Sequence, residues 1–155
     1  MPGLLQEADR EALKKEFAPL TNTVKLVFFT QSLDCEYCPI TQEILEELAA
    51  LTDKIQLDVV NFAIDKERAE KFKIARIPAT ALVRMETTAH DGTTETVERD
   101  YGIRYYGIPA GYEFAALVGD IIDVSAGDSG LSAETKAALK NLTEPMHLQV
   151  FSTPT

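Results

Sequence analysis

The stretch from Val24 to Phe29 is short, β-branched or aromatic, and apolar on both faces apart from Lys25. A strand of that kind has no face to offer water, so it belongs at the centre of a sheet covered on both sides. The rest of the pattern supplies the cover. Leu4, Leu5, Ala8, Leu13 and Phe17 lie near one face of a first helix. From Pro39 to about Leu51, residues Ile40, Ile44, Leu45, Leu48 and Leu51 recur at helical spacing, with Gln42, Glu43, Glu46 and Glu47 facing water. A second strand is expected from Ile55 to Asn61, then a short helix capped by Asp65 and running through Phe72. Thr80 to Met85 and Thr96 to Tyr101 read as an antiparallel pair, with Asp91-Gly92 as the turn signal. Pro109 opens a helix whose buried face is Phe114, Leu117, Val118, Ile121 and Ile122. The order α-β-α-β-α-β-β-α predicts an α/β fold, a mixed sheet with helices on both faces.

The two cysteines of the chain sit together in Cys35-Glu36-Tyr37-Cys38, after the central strand and at the start of the amphipathic helix. A helix N-terminus presents unpaired N–H groups and the positive end of a dipole, and both favour a thiolate. Cys35, at the tip, is the expected nucleophile; Cys38, one turn on and less accessible, would resolve the mixed disulfide. Tyr37 and Pro39 restrict the backbone around the second thiol. A structural zinc site needs four Cys or His ligands, and only His90 and His147 are available, in an expected turn and a tail strand. An iron–sulfur cluster shared between two chains and a pair of inert cysteines are the other readings, and the position of the pair favours redox chemistry over both. No metal or cofactor is expected. Asp34 and Glu36 flank Cys35 with like charge, which opposes the dipole and points to a reductant or mild exchanger.

Ile77-Pro78 lies just before the third strand. A cis proline packed against the dithiol fits that place, with an ordinary loop-to-strand proline as the alternative. A cis bond would leave the Ile77 backbone free to pair with an extended substrate chain. Tyr37, Ile77 and Pro78 are therefore the candidate substrate-binding residues.

Fifteen basic against twenty-five acidic residues give a net charge of −10, which argues against nucleic acid or an anionic membrane surface as partner. No apolar run approaches the ~18 residues of a membrane span. The N-terminal residues lack a basic region followed by an apolar one, so a cytoplasmic address is expected.

Three segments, Cys35-Glu36-Tyr37-Cys38, Arg76-Ile77-Pro78-Ala79-Thr80 and the block from Asp100 to Phe114, resemble the glutaredoxin-like protein disulfide oxidoreductases of prokaryotes. Those proteins carry two thioredoxin-fold units in one chain, and the resemblance runs through essentially all 155 residues. It implies a thioredoxin fold, Cys35 and Cys38 as the N-terminal redox pair, and Pro78 as the cis proline. Read by itself, the segment 101–111 is a strand turning into a helix, with Gly107 and Gly111 allowing close packing and Tyr101, Tyr105 and Tyr106 as packing residues.

The expected division is a thioredoxin-fold unit over 1–125, a linker over 126–131, and over 132–155 the start of a second unit, truncated after its first strand. Ser132 would cap a helix to about Asn141, and Met146 to Phe151 would form a strand. Ala12-Leu13-Lys14 recurs as Ala138-Leu139-Lys140, and the strand ending at Phe29 has a counterpart ending at Phe151. Aligning Phe151-Ser152 with Phe29-Thr30, and allowing for the slightly shorter loop of the family it resembles, puts the first cysteine of a second dithiol next after Thr155. The expectation drawn from it is a UGA codon there, readable as stop or as selenocysteine.

The leading reading is thus a thiol–disulfide oxidoreductase acting on disulfide-containing proteins, fed by a thioredoxin-reductase-like enzyme or glutathione. The alternative is a redox-idle docking unit of a longer two-unit protein. A lone strand at 146–151 would find a partner on the first unit or on a second copy.

Overall fold

A computed structural model describes residues 3–152, apart from the side chain of His90, so the reading of His90 as a non-ligand lies outside the described residues. The elements are α1 (Glu7–Phe17), β1 (Val24–Thr30), α2 (Cys38–Ala49), β2 (Ile55–Asn61), α3 (Lys66–Lys71), β3 (Ala79–His90), β4 (Thr93–Tyr106), α4 (Tyr112–Ala126) and α5 (Ala133–Lys140). The sheet order is β2-β1-β3-β4. β1 pairs in parallel with β2 and antiparallel with β3, and β3 pairs antiparallel with β4. β1 is central, as its two apolar faces require.

Alternation along β1 divides the core. Leu26 and Phe28 join Leu13, Phe17, Leu45, Leu48, Leu117 and Ile121 beneath α1, α2 and α4. Val27 and Phe29 join Ala69, Phe72 and Ile74 of the α3 region on the opposite face. β3 repeats the split, with Leu82 on the first side and Ala81 and Val83 on the second. Helices on both faces are therefore a direct consequence of period-2 apolar residues on two inner strands.

The hairpin reaches far beyond the predicted pair. Its ladder continues through Thr87↔Thr96 to His90↔Thr93, around Asp91 and Gly92 at φ 49° and 79°. Two successive left-handed residues make the tight turn whose twist matches antiparallel strands. Threonines hold this outer ladder without a core beneath it, so no apolar period marked it.

Four further expectations are corrected. Glu47 is not simply in water: its carboxylate accepts from the N–H groups of Leu4 and Leu5 and pairs with Arg10 at 3.1 Å. The chain just before α1 is thereby tied to α2. Pro109 does not open α4, which starts at Tyr112. Gly107 and Gly111 have nothing near the place of a Cβ, so close packing is not their role; each has positive φ, 86° and 59°, which a side chain would resist. Of the three tyrosines, only Tyr105 is buried, and its hydroxyl donates to Asp120 at 2.6 Å. Burial, then that neighbouring carboxylate, pushes its ionisation far above the usual tyrosine value.

α4 continues through Ser125, which is fully buried. Its hydroxyl accepts from the N–H groups of Thr21 and Asn22 and donates to the Asn22 carbonyl at 2.7 Å, using all its capacity. Gly127 then closes the helix at φ 71°, with the Arg84 guanidinium where a Cβ would stand. Ser132 caps α5 by accepting from the Thr135 N–H. Beyond it, Met146–Phe151 is not a strand: it has no ladder partner, and Met146, Leu148, Val150 and Phe151 are all exposed. Extended backbone becomes a strand only by pairing, and here neither sheet edge takes it, so the segment does not dock on the first unit.

Outside the core, Glu98 of β4 gathers Lys25 at 3.1 Å, Arg68 at 3.1 Å and Lys71 at 3.0 Å. Burial pushes its carboxyl up, but hydrogen bonds from Lys71 and Lys25 and the Arg68 charge outweigh this and hold it below the usual glutamate value. A depressed folded-state pKa gives stability that is present above the unfolded value of ~4.3 and lost as pH falls through the folded one. Glu98→Gln is expected to cost about 1–2 kcal/mol at pH 7, between the ranges for exposed and buried ion pairs. Urea unfolding at several pH values checks this, because the gap from wild type should close below pH ~4.

Candidate functional site

Parallel pairing aligns the C-terminal ends of β1 and β2, and the loop leaving β1 at Thr30 carries the cysteines over that end of the sheet. Cys35 is partly exposed in the loop, whereas Cys38, the first residue of α2, is 2% exposed. The two are joined as a disulfide, with Cα atoms 5.4 Å apart.

Tyr37 is the N-cap of α2, and no side chain caps the helix there. Its carbonyl accepts from both the N–H (3.1 Å) and the hydroxyl (2.7 Å) of Thr41, a buried residue. That double bond pins the first turn while leaving the leading N–H groups unfilled by any side chain, and no acidic residue lies in the turn. The positive end of the helix is therefore offered to the loop that holds Cys35.

The Ile77–Pro78 bond is cis. Pro78 is buried and directly precedes Ala79, which pairs with Phe29, so it lies across from the end of β1 where the cysteine loop begins. Its carbonyl accepts from the Gly107 N–H at 3.0 Å. Ile77 is half-buried, and its N–H and carbonyl make no hydrogen bond among the described residues. Topology thus brings the dithiol and the Ile77–Pro78 corner to one end of the sheet. Tyr37 stands over the same end with its side chain 52% exposed.

Sequence reasoning missed a groove of about 760 Å³ beside the dithiol, between α2 and the end of β2. Glu43 and Glu46 of α2 face Val59 and Asn61 of β2 across it, with Cys35 and Cys38 at its head. The one signal in the sequence is the exposed spacing of Glu43 and Glu46, one turn apart and one turn beyond Cys38. On its own that spacing reads as a solvated face. Among the described residues, no group of three or more His, Cys, Asp or Glu is placed to hold a metal ion. Nor is any helix among them long and apolar enough to cross a membrane.

No protein-family profile matches the chain, and no curated protein sequence matches it. Solved structures do. A protein disulfide oxidoreductase from Aeropyrum pernix K1 superposes with a TM-score of 0.71 at 28% identity, over 88% of this chain and 55% of that one. The alkylhydroperoxide reductase AhpF of Enterococcus faecalis V583 gives 0.71 at 26% identity, over 89% of this chain and 61% of that one. The NTD_N/C domain of the same protein gives 0.70 at 26%, over 86% and 58%. The chain spans only 55–61% of the length of these proteins. It has the thioredoxin fold, and a Cys-x-x-Cys pair at disulfide distance on that fold supports thiol–disulfide exchange.

Proposed function

We propose that the protein is a disulfide oxidoreductase that exchanges its Cys35–Cys38 disulfide with those of other proteins. The observation that carries this reading is the unequal exposure of the pair at an uncapped helix N-terminus. In the reduced protein, the Cys35 thiolate attacks one sulfur of the substrate disulfide and expels the other as a thiolate. The Cys38 thiolate then attacks the Cys35 sulfur, freeing the second substrate thiolate and closing the intramolecular disulfide. Two electrons pass from the dithiol to the substrate, and the released thiolates take up protons. The cycle restarts when a thioredoxin-reductase-like enzyme returns two electrons.

Substrate backbone would lie against Ile77, whose N–H and carbonyl are free to pair, with Pro78 and the Tyr37 ring beside it. Both cysteines serve the dithiol, and none remains for a structural bridge. A dithiol that cycles between thiol and disulfide is compatible with a reducing cytoplasm. The experiment is reduction of insulin disulfides in excess dithiothreitol. Acceleration over dithiothreitol alone supports the reading, and no acceleration with slow alkylation of reduced Cys35 at neutral pH would favour the redox-idle unit.

The same reading gives the exposed Met146, Leu148 and Val150 a second copy of the chain as partner, since apolar side chains left together in water associate. A sedimentation coefficient that rises with concentration, and does not once 143–155 are removed, is the expected result.

A further inference from the structure

The groove beside the dithiol has one sign of charge. Glu43 and Glu46 line it, and Asp34 and Glu36 flank Cys35 at its head. None of these four carboxylates has an ion-pair partner among the described residues; the Glu46 carboxylate accepts only from the Gln42 amide, at 2.7 Å. Glu98, Asp100 and Glu47, by contrast, are each paired with a lysine or arginine. Arg76, just before the Ile77–Pro78 corner, lies over the Tyr106 ring, 5.6 Å from the centroid, and Lys66, beyond the end of β2, donates to the Phe62 carbonyl at 3.1 Å.

The surroundings are also apolar in part. Leu33, Tyr37 and Val59 expose large side chains around the cysteine loop and the groove, at 77%, 52% and 45%. Apolar area beside a wall whose charged groups, Glu43 and Glu46, are both acidic suits an extended polypeptide bearing lysine or arginine. It is a poor site for glutathione, a small thiol whose two carboxylates outnumber its one ammonium group.

Resting on the exchange function proposed above, we infer that this groove is the specificity surface of the enzyme: it selects polypeptide disulfides flanked by lysine or arginine and discriminates against anionic ones, glutathione disulfide included. The exchange step itself is unchanged. What the groove sets is the rate of productive encounter, because a cleft of one sign concentrates ligands of the other and steers them.

The test uses the reduced full chain and two disulfide-bridged peptides, identical except for lysine or glutamate beside the bridge, with bis(2-hydroxyethyl) disulfide as a neutral probe. At low ionic strength the lysine peptide is expected to be reduced at least about tenfold faster than the glutamate peptide. In ~1 M salt, where the screening length is ~3 Å, the ratio should fall below about two. Glu43→Gln with Glu46→Gln should lower the low-salt ratio several-fold. Equal rates at low salt, faster reduction of the glutamate peptide, or a ratio indifferent to salt would overturn the inference while the neutral probe, if reduced, leaves the exchange function standing. Failure to reduce any of the three would overturn both.

Discussion

Cys35→Ser is expected to lower protein-disulfide reduction by roughly two or more orders of magnitude, whereas Cys38→Ser should stop after one step with substrate attached. The difference follows from exposure. A protein disulfide can approach Cys35 in its loop, but it cannot reach Cys38, which is 2% exposed under the first turn of α2. In the proposed cycle Cys35 therefore forms the mixed disulfide, and Cys38, within bonding distance of it, breaks it. A serine hydroxyl does not ionise near neutrality, so at position 35 it supplies no nucleophile. At position 38 it leaves the first attack intact and removes the second. Non-reducing mass spectrometry should find a substrate adduct on Cys38→Ser and none on Cys35→Ser. Multiple turnovers by Cys38→Ser, or an adduct on Cys35→Ser, would reverse the assignment of roles.

How much of this was legible in one dimension depended on where the information lay. β1 was readable because an apolar run with no polar face has one kind of home. Asp65 was readable because a cap is a local bond, and the structure shows its carboxylate accepting from the Arg68 N–H. The dithiol was readable because two cysteines at a strand–helix junction sit where a dipole can act on them. The groove was not. Glu43 and Glu46 look like the wet side of an amphipathic helix until β2 brings Val59 and Asn61 opposite them, and no local pattern records that meeting. Glu47 failed for the same reason, since its partners Leu4 and Arg10 are distant in sequence. The outer hairpin and the tail failed in opposite directions. Threonines at 87, 88, 93, 94 and 96 pair without an apolar period, while Met146, Leu148 and Val150 have the period and no partner.

The largest expected loss of stability comes from Phe72→Ala. Two core layers sandwich the sheet, and they are unequal: three helices cover one face, and among the described residues the six-residue α3 is the only helix on the other. A helix that short has no stability of its own and persists through what it packs on. Phe72, its C-cap, is the main anchor. The ring is 1% exposed, and its centroid lies 5.7 Å from that of Phe29 on β1. Arg68, Lys71 and Arg104 lay cations over it at 5.6, 5.4 and 5.2 Å. The Phe72 carbonyl accepts from Arg104 Nε at 3.0 Å, so the backbone is tied to β4 as well. Truncation to alanine removes the ring, opens a cavity among Val27, Phe29 and Val83, and leaves three cations without their π face. Core Phe→Ala changes cost about 3–5 kcal/mol, against a total of about 5–15 kcal/mol for a domain of this size. The urea midpoint should fall accordingly with the slope unchanged. The effect should also be directional: amide exchange across 62–78, the stretch that leads to the Ile77–Pro78 corner, should accelerate more than exchange in α4, which packs on the other face. A loss under about 1 kcal/mol, or equal acceleration in both regions, would show that α3 is held by its ion pairs to β4 and not by this ring.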